Sequence, residues 1–148
     1  LLNHKDMLIT PATPYRDQII TLLATERLPF DDLPKRLDNF FVMLAEDAVI
    51  AVAGMEVYGR STLLRSVVVK NEYRNQGIAT QMIEKVMEAA RSKELARVFL
   101  LTETAKDYFL NNGFEIINRE VVPPLVKRSS EFSTVCPSTA TVMLKTLI

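Results

Sequence analysis

Tryptophan is absent from this 148-residue chain, and cysteine and histidine occur once each, as Cys136 and His4. A single cysteine excludes an internal disulfide and suits a reducing compartment. A single histidine, within the first few residues, excludes a His-rich metal site and argues against a His-based triad. No metal is expected, and the six methionines read as core packing. Glycine is scarce, with 4 residues. The chain therefore has neither the three-glycine dinucleotide fingerprint nor a P-loop ending in Gly-Lys-Ser/Thr. Charge of one sign is also lacking: 18 basic residues balance 18 acidic ones. That leaves no basic excess for general nucleic-acid binding. No apolar run approaches the ~20 residues that span a bilayer, and no signal-peptide pattern opens the chain. A cytoplasmic protein with no nucleic-acid or membrane partner is expected.

What is present is ordinary globular composition, 48% apolar and 24% charged, in a length suited to one core. Residues 1–6 read as a tail or expression remnant and 7–148 as one α/β domain. Met7 to Pro11 predicts a strand. Thr13 followed by Pro14 predicts an N-cap and first helical position, opening a helix to about Thr25. Asn39 to Glu46, Ala48 to Tyr58 and Ser61 to Val69 predict an antiparallel meander with turns near Asp47 and Gly59. Ile78, Met82, Ile83, Val86, Met87 and Ala90 form the apolar stripe of a helix to about Ser92. Val98 to Thr102 predicts a buried strand, and Ala105 to Asn111 a short helix closed by Gly113. Phe114 to Arg119 and Ala140 to Leu147 predict two more strands, separated by a long irregular segment from Val121 to Thr139.

One stretch carries chemistry: Val67-Val68-Val69-Lys70-Asn71-Glu72-Tyr73-Arg74-Asn75-Gln76-Gly77-Ile78-Ala79-Thr80. It reads as strand, polar loop, glycine and helix start. A helix N-terminus offers N–H groups and a positive dipole end to phosphate. Gly77 lets backbone approach a ligand, Ala79 keeps the first turn small, and Arg74 adds a cation beside it. This is a pyrophosphate cradle made of backbone. Arg-x-x-Gly-x-Ala alone is a weak pattern, and its place between a buried strand and an amphipathic helix strengthens it.

These residues resemble the signature of the GNAT superfamily of acetyl-CoA-dependent N-acetyltransferases, Gln/Arg-x-x-Gly-x-Gly/Ala after the fourth strand, met by Arg74, Gly77 and Ala79. The element order over about residues 7–148 is similar too, as is Phe109-Leu110-Asn111-Asn112-Gly113-Phe114 ahead of strand six. Glu56-Val57-Tyr58-Gly59, Leu63-Leu64-Arg65-Ser66, Leu101-Thr102-Glu103-Thr104 and Phe132-Ser133-Thr134-Val135-Cys136-Pro137 resemble the small arsenic-resistance N-acetyltransferases. Those are similar in turn to the acetyltransferase domain of amino-acid N-acetyltransferases. The resemblance implies a mixed, mostly antiparallel central sheet flanked by helices. It implies direct transfer of an acetyl group from acetyl-CoA to a primary amine of a small molecule, such as an amino acid or amino-acid-like toxicant. The alternatives are a weakly active acyl-CoA-binding module and a protein N-acetyltransferase. A homodimer, by edge pairing or strand exchange of the final strand and late loop, is a further expectation at family level.

The implied cofactor contacts are Val67, Val68 and Val69 for the pantetheine arm, and Arg74, Asn75, Gln76, Gly77, Ile78, Ala79 and Thr80 for the pyrophosphate. Thr102, Thr104 and Phe109 line the opening beside strand five. Phe30 and its neighbours Asp31 and Asp32 fall in the acceptor-side loop, where the aspartates would bind an amine or cap a helix. Glu56 is the candidate general base; the plainer reading is a solvated strand carboxylate. Many family members place a tyrosine acid where this chain has Phe109. Tyr108 lies one position earlier, about 100° around a helix, as the candidate acid or a packed surface tyrosine. Arg65, in an apolar run, either holds a substrate carboxylate or makes an internal ion pair, for which Glu56 is a candidate partner. Lys127 and Arg128 read as solvated loop charges or contacts for an acidic acceptor. Cys136 reads as a buried thiol, since no histidine is available to activate it.

Overall fold

The computed structural model describes residues 7–132 and 139–148. His4 and Cys136 lie outside the described residues. Among the described residues, seven strands form one mixed sheet in the order β1-β2-β3-β4-β5-β7-β6. They are β1 (Met7–Pro11), β2 (Phe40–Ala45), β3 (Ala48–Tyr58), β4 (Ser61–Val69), β5 (Arg97–Thr102), β6 (Glu115–Ile116) and β7 (Thr141–Thr146). The helices are α1 (Arg16–Thr25), α2 (Ile78–Ser92), α3 (Lys106–Leu110) and α4 (Pro124–Lys127). Contacts divide the chain into two compact units. The first comprises residues 7–55 and 66–89; the second comprises 56–65, 90–132 and 139–148.

In the first unit, β1 pairs antiparallel with β2 and β2 with β3. Glu46 and Asp47 form the β2–β3 turn, both with left-handed φ (51° and 67°). Such a two-residue turn matches the strand twist. A register shift between Met43 and Leu44 leaves Ile50 without a partner on β2. The Ile50 carbonyl accepts the Lys70 N–H at 2.7 Å, which fixes the end of β4. The core holds Ile19 and Leu23 from α1 with Phe40, Val42, Val52 and Val68 from the strands. Gly54 faces Phe40 across the β2–β3 ladder, where a Cβ would collide with the ring. The α2 stripe at Ile78, Met82, Ile83, Val86, Met87 and Ala90 is buried as its spacing predicts.

In the second unit β4 runs parallel to β5, with Ser61–Leu63 against Arg97–Phe99. Among the described residues of this unit the ladder ends there, leaving Leu64 and Arg65 beyond it. β7 pairs antiparallel with both β5 and β6, around a core of Leu63, Phe99, Val122, Val126, Phe132 and Val142.

Several expectations are corrected. Thr13 is not an N-cap: Thr13–Tyr15 is a 3-10 turn capped by Ala12, without a side-chain cap bond. Pro14 fits that tight turn, and α1 starts only at Arg16. The strand expected from Phe114 to Arg119 is confined to Glu115–Ile116. Asn118 ends it, because its side chain accepts the Glu120 N–H at 2.9 Å and turns the backbone into a 3-10 segment. Among the described residues the final strand β7 lies between β5 and β6, and β6 pairs with it only at Leu144 and Met143. The late segment contains α4, started by Pro124. No helix among the described residues is long and apolar enough to cross a membrane.

Candidate functional site

The first unit carries the loop between β4 and α2. Asn71–Tyr73 forms a 3-10 turn, with the Tyr73 N–H bonded to the Lys70 carbonyl at 2.9 Å. Asn75 and Gly77 both take left-handed φ, at 65° and 78°. Asparagine tolerates that region and glycine is unstrained there. Asn75, Gln76 and Gly77 are exposed, and an added Cβ at Gly77 would meet nothing within 4 Å. The Gly77 carbonyl accepts the Gln81 N–H at 3.2 Å, so α2 begins at this glycine. The first N–H groups of a helix have no carbonyl partner within it and carry the positive end of its dipole. The space outside Gly77 is therefore open and lies against N–H donors. That chemistry fits a phosphate group.

Arg74 differs from the free cation expected from sequence. Its Nη2 meets Glu26 Oε1 at 2.6 Å, its Nε donates to the Val69 carbonyl at 3.2 Å, and its Nη1 to Asn71 Oδ1 at 3.4 Å. The guanidinium is bonded within the protein, and its charge is balanced by Glu26. Val68 and Val69 are buried, and Val67 is half-buried. Ser66 takes φ +57° within β4, a left-handed residue just before these valines.

The second unit carries a side-chain cluster. The Arg65 side chain is fully buried, with Nη1 2.6 Å from Glu56 Oε1 and Nη2 3.7 Å from Glu131 Oε1. Of the two readings of Arg65, the chain adopts the internal ion pair. A buried guanidinium requires such partners, and its planar fork can serve two carboxylates at once. Glu56 Oε2 accepts the Tyr58 hydroxyl at 2.5 Å, and the Glu56 carbonyl accepts the Thr62 hydroxyl at 2.9 Å. Burial first, and then the Glu56 carboxylate, push the Tyr58 phenol well above its ordinary range. Arg65 and a hydrogen bond with Ser129 pull weakly the other way. The phenol therefore stays protonated and donating. Glu56 is not a solvated carboxylate: its side chain is only 18% exposed and both oxygens are engaged.

The remaining candidates are dispersed within their units. Thr102 is half-buried, and its hydroxyl oxygen accepts the Ala105 N–H at 3.0 Å, closing the turn into α3. Thr104 is exposed. Phe109 is buried, packed edge-on against Tyr108 and Phe114 with ring centroids 5.2 and 5.3 Å away. The phenylalanine at the tyrosine position is thus a core residue, and Tyr108 is half-buried beside it. Gly113, at φ +88°, ends this helix as expected, with the Phe114 N–H on the Phe109 carbonyl at 3.0 Å. Phe30 packs half-buried on the first unit's core, while Asp31 is exposed and Asp32 half-buried. Lys127 and Arg128 are exposed.

Sequence reasoning missed Tyr58, Ser129, Glu131 and Glu26. Tyr58 had a signal, since it lies two residues from Glu56 on one strand and so shares its face. Glu131 and Glu26 had none in the local pattern.

Residues 36–116 match the family model described as the acetyltransferase (GNAT) domain. Among curated relatives, an amino-acid acetyltransferase of Pseudomonas fluorescens (strain Pf0-1) is 29% identical over 93 residues, 62% of this chain and 22% of the relative. One from Aeromonas salmonicida (strain A449) is 25% identical over 95 residues, 63% of this chain and again 22% of the relative. The chain thus spans under a quarter of the length of these relatives. Among solved structures, Rv2747 from Mycobacterium tuberculosis, in complex with CoA, superposes with a TM-score of 0.80 at 22% identity, covering 95% of this chain and 99% of that one. N-acetylglutamate synthase from Neisseria gonorrhoeae, complexed with coenzyme A and N-acetyl-glutamate, gives 0.78 at 12% identity, covering 96% of this chain and 35% of that one. At these identities the likeness is one of fold.

Proposed function

The chain belongs to the acetyltransferase (GNAT) domain family, and from that premise we propose that it is an acetyl-CoA-dependent N-acetyltransferase for a small primary amine, an amino acid or amino-acid-like compound. The observation that carries the proposal is the start of α2: a left-handed glycine with open space beside it, between a buried strand and an amphipathic helix. The names of the relatives support the acceptor class, since they are amino-acid acetyltransferases. Residues 7–148 are read as one such domain. A cytoplasmic setting suits a chain with one cysteine.

Acetyl-CoA supplies the acyl thioester. In this reading backbone N–H groups from Asn75 to Thr80 hold its pyrophosphate, and backbone groups of Val67 to Val69 pair with its pantetheine arm. An N–H at the end of β4 would donate where charge develops on the thioester oxygen. The acceptor amine must lose a proton to react. Glu56 is the group assigned to take it, directly or through water; as the new C–N bond forms and the C–S bond breaks, CoA leaves as a thiolate that takes its proton from Tyr108 or from solvent. Each carboxylate oxygen has a second lone pair, so the bonds from Arg65 and Tyr58 leave acceptor capacity. With Arg65 committed to Glu56 and Glu131, the amine end of the acceptor is the end this cluster would recognise.

The test is thiol release from acetyl-CoA across a panel of amines, beginning with free amino acids. Acceptor-dependent release, lowered at least tenfold by Glu56→Gln, is the expected result. A specific observation favours a second reading, a cofactor-binding module with little turnover: the tyrosine position is the core residue Phe109. Tight binding of acetyl-CoA with no acceptor-dependent release would select that reading. Self-association is part of the proposal, and exposed Ile116, Val121 and Leu125 support it. Sedimentation at two concentrations tests it, and a monomer at both would remove it.

A further inference from the structure

We propose that Glu26 is a positioning residue for the phosphate-binding loop, acting through Arg74; this rests on the reading that the loop holds acetyl-CoA. Glu26 stands at the C-cap of α1, outside every motif that suggested the function. Its place is rigid. Arg27 takes φ +58°, the Arg27 N–H bonds the Ala24 carbonyl at 3.1 Å, and the Leu28 N–H bonds the Leu23 carbonyl at 2.9 Å. Those two bonds make a Schellman closure, which fixes the last turn of α1 and the direction of Glu26.

From that anchor the Glu26 carboxylate holds Arg74 at 2.6 Å. The same guanidinium reaches the Val69 carbonyl at the end of β4 and the Asn71 side chain in the 3-10 turn. One planar group thus ties α1, the strand end and the loop together. Lysine, a point charge on a flexible stem, cannot replace such a fork. The loop so braced contains the two left-handed residues, Asn75 and Gly77, that shape the helix entrance. A loop already held in its binding conformation does not pay the ordering cost when the ligand arrives. Arg74 therefore serves the cofactor through the shape of the loop, and Glu26 keeps its charge occupied.

The experiment has two readouts. In the free protein, amide hydrogen exchange over residues 70–77 should be several-fold faster in Glu26→Gln than in the parent. In the assay with acetyl-CoA, Glu26→Gln should raise KM about fivefold and leave kcat in place, as loss of an ion pair of this exposure implies. Arg74→Gln and Arg74→Lys should give the same shift, and Glu26→Gln combined with Arg74→Gln should add nothing further. Unchanged exchange overturns the proposal. So does a lower KM, which would mean that a freed Arg74 grips the phosphates itself, and so do additive single effects. If the parent protein fails to bind acetyl-CoA, the cofactor reading falls, while the exchange measurement still decides whether Glu26 braces the loop.

Discussion

At the start of α2 a charge would be held by backbone in the open; around Arg65 charges are held by side chains in the interior. The loop from Lys70 to Gly77 is largely exposed, and two of its residues, Asn75 and Gly77, take left-handed φ. The Arg65 cluster has its guanidinium fully buried and its carboxylates nearly so, and its named bonds run between its own members. The first arrangement costs little to maintain without a ligand, because water can satisfy exposed N–H groups. The second is stable only while every partner is present, because an unpaired buried charge is expensive. In the proposed reading the phosphate is met by exposed backbone, whereas the buried charges, Glu56 among them, are held by side chains.

That contrast sets how variants should behave. The largest effect is expected at Arg65. Arg65→Met leaves Glu56 and Glu131 without their cation and should cost about 3–5 kcal/mol of stability, read as a lower denaturant midpoint. An unchanged midpoint would break the comparison, since it would mean that the cluster is not internally committed. Gly77→Ala should show the opposite profile. Its Cβ meets no protein atom, so only the left-handed backbone is strained, at about 1–2 kcal/mol. Its affinity for acetyl-CoA should nevertheless fall about tenfold or more, because the methyl group stands where the phosphate would come. Equal affinity in a calorimetric titration would show that the cradle is misplaced.

The smallest effect sharpens the interior side of the comparison. Tyr58 has a phenol pushed above its ordinary value by burial and by Glu56. Its contribution to stability is therefore complete below the unfolded tyrosine value of about 10 and is lost as pH rises through the higher folded value. The parent protein should lose stability relative to Tyr58→Phe as pH rises above about 10, as measured by urea unfolding at each pH. At neutral pH, Tyr58→Phe should cost about 1 kcal/mol, the net worth of one hydrogen bond. A difference that stays constant with pH would show that burial and Glu56 together do not raise the phenol.

The two regions also differ in how far the sequence revealed them. The cradle occupies consecutive residues from Val67 to Thr80, so strand pattern, glycine and amphipathic helix could be read together. The cluster gathers residues 56, 58, 65, 129 and 131, and only the fold joins the late segment to β3 and β4. Arg65 was recognisable as a charge in an apolar run, and Glu56 as its candidate partner, because both lie in neighbouring strands of one meander. Glu131 was not, since nothing local distinguishes it from a loop carboxylate. The succession of elements along the chain and the central meander followed from hydrophobic pattern and turns, while the place of β7 between β5 and β6 did not. The misreadings came from local backbone chemistry, as at Asn118, whose side chain competes for the backbone and cuts the expected strand short. Arg74 was assigned to phosphate because Glu26, the carboxylate that claims it, lies 48 residues earlier.

The most direct test of the central claim is a calorimetric titration of the parent protein and of Gly77→Glu with acetyl-CoA, with ATP and NAD as comparison ligands. The account predicts selective binding of acetyl-CoA by the parent and none by the variant, whose carboxylate would stand in the phosphate's place. No binding of acetyl-CoA by the parent, or equal binding by Gly77→Glu, would contradict it.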